Sequence, residues 1–213
     1  MIRIYYGAAT ALPDDWDGLP LSEYRREKLQ RLRLESSRRE SLGAELLLIH
    51  ALRRFDPSIT IPPEIRTKEG GKPYFPRLPL YFSLSHSGGL AGCALSDREI
   101  GLDLQVLCPV REAVLRRSFS QEERNRVEAA TDPAWEFTRL WARKESRVKA
   151  LGTGISTPLN RVSVLEEDYS CWVLALDNAV LALSAPGISD PVPDCVEYCE
   201  LSGLRESLIR SSR

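Results

Sequence analysis

Residues 141–149 read Trp-Ala-Arg-Lys-Glu-Ser-Arg-Val-Lys, and this charged stretch decides how the rest of the chain is interpreted. At 3.6 residues per turn, the helix that the pattern predicts over residues 133–151 has one apolar stripe. The stripe is formed by Phe137, Leu140, Trp141, Val148 and Leu151. Lys144 falls near the middle of this stripe, while Glu145 and Lys149 run along one border at an i,i+4 spacing.

Charged side chains on a poorly solvated helix face need partners, because an unpaired buried carboxylate or ammonium group is costly. One explanation is a solvated surface pair between Glu145 and Lys149, worth roughly 0.2–0.5 kcal/mol. The alternative is that these groups belong to a functional site. A second segment favours that alternative.

The second segment is Gly-Leu-Asp-Leu-Gln at residues 101–105, whose period-two alternation predicts a strand with one face in the core. Asp103 and Gln105 share the other face, roughly 6.5–7 Å apart along the strand. Gly101 has no side chain on that face, so we expect a ligand to approach the backbone there. A strand carboxylate, a helix carboxylate and an amide oxygen make an open site of the kind that Mg²⁺ prefers. A strand end with a solvated polar face is the simpler alternative.

The composition indicates a soluble globular protein: 213 residues, 43% hydrophobic and 28% charged. A chain of this length can bury one large core or two small ones. The formal net charge of -1 argues against a general nucleic-acid binder. Basic residues crowd residues 25–39, where either a solvated mixed-charge helix face or a site for a small anionic ligand would explain them.

The sequence shows neither a recognisable targeting signal nor a cysteine motif. No apolar run approaches the length of a membrane span, and residues 1–6 are typical of a strand rather than a signal peptide, so we expect a cytoplasmic protein. The five cysteines lack CxxC spacing, which argues against a disulfide framework or a structural zinc site. We therefore expect Cys195 and Cys199 to be free thiols. His50 lies among leucines in a predicted helix and is interpreted as a structural histidine with satisfied hydrogen bonds.

The order of predicted elements repeats, because helices are followed by strands twice along the chain. The predicted helices cover residues 21–34, 38–55, 111–117, 121–129 and 133–151. The predicted strands cover residues 1–6, 65–67, 81–84, 90–95, 100–104, 162–165, 171–176, 180–184 and 196–201, and the tail from residue 206 is expected to fray. This order predicts an α+β fold with two halves, residues 1–102 and 103–213, of about a hundred residues each.

Two further motifs are candidates for anion binding. Residues 81–89 end a predicted strand in a turn rich in hydroxyl groups and glycine, which can bind phosphate oxygens or be an ordinary turn. Ser85 and His86 are adjacent on that strand, so they point to opposite faces, and the GxSxG elbow of a hydrolase is absent. Residues 70–73 are not a Walker A loop, although Lys72 remains a candidate anion contact.

Together, residues 71–73, 82–88, 101–103 and 141–149 resemble the motifs of the phosphopantetheinyl transferases. The order of the motifs, and the separation of 145 − 103 = 42 positions between the two acids, are similar to those of the larger monomeric type that activates peptide synthetases. The resemblance extends from about residue 25 to residue 159. Each motif alone is weak, but the set is specific.

The resemblance implies a fold of two similar α/β halves, related by pseudo-twofold symmetry, with the active site at their interface. It implies Mg²⁺-dependent transfer of the 4′-phosphopantetheine arm of coenzyme A to a serine of an apo acyl or peptidyl carrier protein, with release of adenosine 3′,5′-bisphosphate. Such carriers serve fatty-acid, polyketide or nonribosomal-peptide synthesis. It further implies a monomer without nucleic-acid or membrane partners.

The resemblance also implies roles for individual residues. Asp103 and Glu145 would bind Mg²⁺ with Gln105 beside them. On chemical grounds, a metal-bound carboxylate such as Glu145 could take the proton of the acceptor serine, directly or through water. Lys149 would neutralise charge on the leaving phosphate, with Lys144 in the same network. In this scheme the first half supplies the contacts to coenzyme A, and the second half supplies the metal ligands and the catalytic helix. The contacts to the phosphates of coenzyme A would come from Arg25, Lys28, Lys72, Ser85 and His86.

One position departs from the family pattern, since many relatives carry glutamate where this chain has Gln105. A neutral amide offers only its oxygen to a cation, so we expect a higher Mg²⁺ requirement. Two other functions stay open at this point. One is a carrier-protein-binding module that has lost catalysis, and the other is a metal-dependent phosphohydrolase that uses the same acidic pair.

Overall fold

A computed structural model describes residues 1–154, 157–165, 171–188 and 191–211 of the chain. The helices of this part are α1 (Glu23–Arg31), α2 (Glu35–Phe55), α3 (Glu112–Ser118), α4 (Gln121–Glu128), α5 (Pro133–Leu151) and α6 (Leu201–Ser211). Its strands are β1 (Ile2–Ala8), β2 (Arg66–Thr67), β3 (Pro73–Tyr74), β4 (Tyr81–Ser87), β5 (Leu90–Ser96), β6 (Gly101–Val106), β7 (Cys171–Leu176), β8 (Ala179–Ser184) and β9 (Cys195–Tyr198). The mixture of helices and sheets confirms the α+β class.

Local sequence signals set both ends of α5, whose predicted bounds are confirmed. The side chain of Asp132 accepts a hydrogen bond from the Trp135 amide at 3.0 Å, and Pro133 occupies the first turn. At the other end Gly152 adopts a left-handed conformation with φ 69°, which ends the helix at low steric cost. The charged segment 141–149 therefore lies on one continuous helix.

The strands form two main sheets and a short β2–β3 hairpin. The first sheet has the order β4-β5-β1-β9, in which β9 runs parallel to β1 and the other pairs are antiparallel. The second sheet has the order β6-β8-β7 and is antiparallel throughout. An apolar cluster that includes Ile4 of β1, Leu102 of β6 and Leu183 of β8 joins the two sheets. The helix α2 packs against the first sheet and α5 packs against the second.

Strands β4 and β6 are the edge strands at which the two sheets meet, and serine side chains join them. The Oγ atoms of Ser83, Ser85 and Ser87 accept hydrogen bonds from the backbone amides of Leu102 (2.9 Å), Leu104 (3.1 Å) and Val106 (3.2 Å). We call these three contacts the serine seam. The seam holds Asp103 between two anchored amides and so fixes its position relative to β4.

The helix α5 lies unusually close to the start of β6. A Cβ atom on Gly101 would stand 2.0 Å from the carbonyl oxygen of Ser146 and 2.3 Å from the amide nitrogen of Ala150. The expectation that Gly101 leaves room for a ligand is therefore wrong, because the backbone of α5 occupies that space. This close approach brings the polar border of α5 next to Asp103.

Some predicted elements differ from the structure for identifiable reasons. Residues 162–165 do not form a strand, because α5 side chains bind their carbonyl groups: Lys144 Nζ donates to Val162 (2.6 Å) and Arg147 Nη1 to Ser163 (2.8 Å). Leu151 is 53% exposed and lies outside the apolar stripe, although Lys144 is fully buried within it as predicted.

The end of the chain returns to the first sheet. Strand β9 pairs with β1, and α6 packs against α2 through the buried Leu201 and Leu208. The prediction of a frayed tail is therefore wrong as far as residue 211, and residues 212–213 lie outside the described residues. The division at residues 1–102 and 103–213 stays a prediction, to which the structure adds that residues 195–211 pack on the first half. None of the helices in the described ranges is both long and apolar enough to cross a membrane.

Candidate active site

A cavity of about 1020 Å³ opens where α1, β4, the β2–β3 hairpin and α5 come together. Its volume is at the upper end of the roughly 300–1,000 Å³ of small-molecule sites. Polar groups in its lining include Arg25 and Lys28 of α1 and Glu145 and Lys149 of α5. The apolar part of the wall includes Tyr24, Phe82, Leu84, Trp141 and Val148.

Asp103 is buried next to Lys149, which lines this cavity, and is held by three side chains. Its Oδ1 atom accepts hydrogen bonds from Lys149 Nζ at 2.7 Å and from Ser85 Oγ at 2.9 Å. Its Oδ2 atom accepts a hydrogen bond from the amide nitrogen of Gln105 at 2.9 Å. Lys149 also donates to Ser85 Oγ at 3.0 Å, while its side chain keeps 31% exposure. The strand and the helix are therefore joined by a charged network that still faces solvent on one side.

Glu145 lines the same cavity without a partner of its own: within the described residues it makes no hydrogen bond or ion pair. Burial raises the pKa of its carboxyl group, and the negative charge of Asp103 raises it further, while Lys149 opposes both effects. The charge of Asp103 therefore acts on Glu145, and their joint binding of one cation stays a prediction.

This arrangement fits a divalent cation. Asp103 and Glu145 bring two carboxylates to one partly buried site where Lys149 supplies the compensating positive charge, so negative charge is in excess. Two carboxylates with room for water and substrate oxygens are typical of Mg²⁺ sites. Gln105 lies beside them, but its amide nitrogen donates to Asp103, so in this conformation it holds the carboxylate in place.

Two cations of α1, Arg25 and Lys28, line the same cavity. The pKa of Lys28 is lowered to about 8, chiefly by burial and in addition by the charges of Arg25 and Lys149. Arg25 is held by an ion pair with Glu45 at 3.3 Å and by a hydrogen bond to Ser41. These cations repel one another, which is part of the reason that the pKa of Lys28 is lowered. A bound polyanion would relieve the repulsion, so the cluster favours such a ligand. The two predicted anion contacts on α1 are thus placed at the site.

His86 lies on the face of β4 opposite to Ser85, as the alternation predicts. Its Nδ1 atom is 2.9 Å from Oε2 of Glu40, whose other oxygen accepts the Gly89 amide at 2.6 Å. Burial lowers the pKa of His86, Glu40 opposes this effect, and the charges of Lys28 and Arg25 add to it. The histidine therefore lies close to the cations of α1.

Two other predicted phosphate contacts are occupied by protein groups. Lys72 Nζ binds Glu99 and donates to the carbonyl groups of Ile100 (3.1 Å) and Ala150 (2.9 Å), which uses the three protons of an ammonium group. Ser85 Oγ is engaged by Asp103, Lys149 and Leu104. In the structure Lys72 braces the cavity wall and Ser85 positions Asp103, so neither side chain is free for an anion.

Lys144 lies outside the network around Lys149, and the prediction that it belongs there is wrong. Its Nζ atom forms a fully buried ion pair with Oε2 of Glu123 at 2.7 Å and donates to the carbonyl groups of Leu159 and Val162. Glu123 also completes a capping box with Ser120 at the start of α4. Lys144 thus fastens α5 to α4 and to residues 159–162, which border the cavity.

Sequence reasoning missed Glu40 and Glu123 as partners. The S-x-x-E pattern at residues 120–123 could have identified the helix cap, but it carries no information about Lys144. Glu40 lies in the mixed-charge run before the apolar face of α2, where a solvated role was expected. Only the packing of α2 on β4 brings it to His86.

Comparisons with known proteins were consistent with this site. The model of the 4′-phosphopantetheinyl transferase superfamily matches residues 99–178, which include Asp103, Gln105, Lys144, Glu145 and Lys149. The matched residues do not include the predicted contacts to coenzyme A, all of which precede residue 99.

Several relatives bear the same name. A 4′-phosphopantetheinyl transferase of Bacillus subtilis is 34% identical over 157 residues, covering 70% of this chain and 67% of the relative. The 4′-phosphopantetheinyl transferase Sfp of Bacillus subtilis (strain 168) is 31% identical, covering 68% of this chain and 66% of its own length. The 4′-phosphopantetheinyl transferase AcpT of Escherichia coli (strain K12) is 32% identical, covering 94% and 98%. The chain thus spans about two thirds of the length of the Bacillus relatives and nearly all of AcpT.

Proposed function

We propose that this chain, which belongs to the 4′-phosphopantetheinyl transferase superfamily, transfers the 4′-phosphopantetheine arm of coenzyme A to a serine of an apo acyl or peptidyl carrier protein. One observation carries the proposal: Glu145 and the cations Arg25, Lys28 and Lys149 line one cavity large enough for a nucleotide-sized ligand, and Lys149 pairs there with Asp103. We further propose a monomer of the larger type, with its site between two similar halves.

The co-substrate is a polyanion, and the cations of the cavity suit it. Lys28 and Arg25 would face its phosphates, with His86 nearby, while the apolar wall accommodates the adenosine and the arm. Asp103 and Glu145 would hold Mg²⁺ at the pyrophosphate, with Gln105 beside them. When bound, Mg²⁺ would supply Lewis-acid stabilisation of the charge on the pyrophosphate oxygens.

In the transfer step the serine oxygen bonds to the phosphorus that bears the arm. The pyrophosphate P–O bond breaks, and adenosine 3′,5′-bisphosphate leaves. The carboxylate of Glu145 would accept the serine proton, directly or through water. Lys149 Nζ, held beside Asp103, would stabilise the charge that develops on the leaving phosphate.

The decisive experiment is mass spectrometry of apo carrier proteins after incubation with this protein, coenzyme A and Mg²⁺. Carriers from fatty-acid, polyketide and nonribosomal-peptide synthesis should be compared, and we expect at least one to gain the mass of the arm on its serine. Omission of Mg²⁺ should abolish the gain. A Ser→Ala carrier is the matched control.

The same assay separates the competing functions. Release of phosphopantetheine or inorganic phosphate without any carrier would identify a phosphohydrolase. Tight binding of an apo carrier without any gain in mass would identify a binding module. Either result would overturn the proposed transfer.

A further inference from the structure

A second cluster of metal-ligating side chains lies on the first sheet, away from the residues of the cavity. His50 on α2, Glu197 on β9 and Cys199 just after β9 each offer one ligand atom, and these three atoms all lie within 4.8 Å of one another. In the described part of the chain this is the one group of three or more His, Cys, Asp or Glu side chains with such spacing. It brings together one nitrogen, one oxygen and one sulfur ligand.

The sheet register explains why these side chains meet. Glu197 is opposite Tyr5 in the parallel β1–β9 pair, and the ring of His50 packs edge-on against Tyr5 at 5.1 Å between centroids. Cys199 follows Glu197 by two residues, so both side chains point to the α2 side of the sheet. Gly7 allows the chain to come this close, because a Cβ atom there would stand 2.3 Å from the Cys199 carbonyl oxygen.

The state of His50 points to a ligand. Its Nε2 atom is buried and has no hydrogen-bond partner, and the nearest carboxylate oxygen, Oε1 of Glu197, is 3.8 Å away. The expectation that His50 is a satisfied structural histidine is therefore wrong. A buried polar atom without a partner is uncommon and calls for an explanation such as an ion.

We propose that His50 Nε2, a carboxylate oxygen of Glu197 and Cys199 Sγ form a site for a divalent transition metal of the Zn²⁺ class. Imidazole, carboxylate and thiolate are the ligands that Zn²⁺ takes, whereas Mg²⁺ prefers oxygen ligands alone. Bonds of about 2.0–2.3 Å place tetrahedral ligands roughly 3.3–3.8 Å apart, so closure of the site needs side-chain movements of about 1 Å. A fourth position would remain for water.

Metal at this site would clamp the end of the chain. His50 belongs to α2, while Glu197 and Cys199 lead directly into α6, so one ion would cross-link elements more than 140 positions apart in sequence (197 − 50 = 147). Burial raises the pKa of the Cys199 thiol to about 11, so the bound metal has to displace a proton. The inference is independent of the proposed transfer reaction, because it uses none of the cavity residues.

Cobalt titration of the purified protein in excess Mg²⁺ tests the site. Co²⁺ bound to a thiolate gives a charge-transfer absorption in the near ultraviolet, which the oxygen ligands Asp103 and Glu145 cannot produce. We expect this band to saturate at one equivalent of Co²⁺ per chain and to be displaced by Zn²⁺. We also expect Zn²⁺ to raise the midpoint of thermal unfolding.

Variants identify the ligands. Cys199→Ser should abolish the band, and His50→Gln and Glu197→Gln should each weaken Co²⁺ binding at least about tenfold. The side chain of Glu197 is partly exposed, so we expect Glu197→Gln to fold. This variant still tests the site if Cys199→Ser fails to fold. The matched control is Cys195→Ser, a thiol on the same strand, which should bind as the wild type does. A wild-type protein without the band, or equal losses in Cys195→Ser and Cys199→Ser, would overturn the assignment.

Discussion

Lys144 and Glu145 are neighbours on α5, yet they lie in opposite kinds of environment. Lys144 faces a closed region, where its ammonium group is fully buried and is paired with Glu123 and two carbonyl groups. Glu145 faces the open region of the cavity, where it lies near Asp103 and within the described residues lacks a partner. The comparison teaches that a charged motif can divide its residues between architecture and chemistry. A charged residue whose partners are all present, such as Lys144, has a structural role. A charged residue without a partner, such as Glu145, is a candidate for chemistry.

The largest effect should come from neutralising the open carboxylate. Glu145→Gln keeps the shape of the side chain but removes the base and half of the acidic pair, so we expect transfer to fall by about 10³-fold or more. Holo-carrier formation measured by mass spectrometry gives the rate, and circular dichroism should show an unchanged fold. Glu128→Gln on the exposed face of α4 is the matched control. Near-normal turnover in Glu145→Gln would show that this carboxylate is not needed for transfer, and that Glu145 does not differ from Lys144 in the way described.

The closed region should respond through stability instead. Lys144→Met leaves the buried Glu123 without its cation, at a cost of about 3–5 kcal/mol in the free energy of unfolding. The double variant Lys144→Met/Glu123→Gln removes both charges while a glutamine can still cap α4, so it should recover much of that loss. Urea denaturation of the two variants and the wild type measures the difference. Equal destabilisation in both variants would show that the ion pair is not the cause.

The cations of the open region should give binding a pH dependence. Lys28 is cationic below its pKa of about 8 and neutral above it, so the affinity for coenzyme A should fall several-fold as the pH rises through 8. Lys28→Arg keeps its charge, so its affinity should stay nearly constant over the same range. Isothermal titration calorimetry at several pH values makes the comparison. If affinity depended on pH in the same way in the wild type and in Lys28→Arg, Lys28 would not be a contact to coenzyme A.

The burial of Glu145 and its repulsion with Asp103 should also affect the stability of the folded protein. The pKa of Glu145 is raised in the folded state, so its contribution is complete below the unfolded value near 4.5 and is lost as the pH rises through the folded value. Without divalent ions, Glu145→Gln should therefore lose less stability than the wild type over that window. Thermal unfolding at stepped pH measures this. Identical pH profiles would contradict the repulsion between the acids.

The smallest change is expected at Gln105. A third carboxylate in Gln105→Glu would strengthen cation binding, so the Mg²⁺ concentration for half-maximal transfer should drop a few-fold. The same change replaces the amide that donates to Asp103, which limits the gain. An unchanged Mg²⁺ titration would indicate that Gln105 only positions Asp103.

The sequence predicted the two acids and the elements that carry them, because periodicity reports which residues share a face. The bounds of α5 followed from the apolar periodicity of residues 133–151, and the strand of Asp103 followed from its alternation. Helix ends and strand faces are determined largely by residues that are close in sequence. They are therefore accessible from one chain.

The failures concern partners that are distant in sequence. Lys144 could not be separated from the network around Lys149 without knowing that α4 brings Glu123 to it. Lys72 looked like a free cation because Glu99 and the end of α5 reach it only in the folded chain. The space beside Gly101 likewise belonged to a helix and not to a ligand. In each case tertiary packing, which the pattern does not encode, decided the role.

The serine seam has a consequence for solubility. An edge strand offers unpaired amides that can recruit a strand from another molecule and start aggregation. Here three hydroxyl groups already cap the amides of Leu102, Leu104 and Val106, so β6 offers little for an incoming strand to bind. Loss of the outermost hydroxyl, at Ser87, would reopen this edge to self-association without disturbing Asp103.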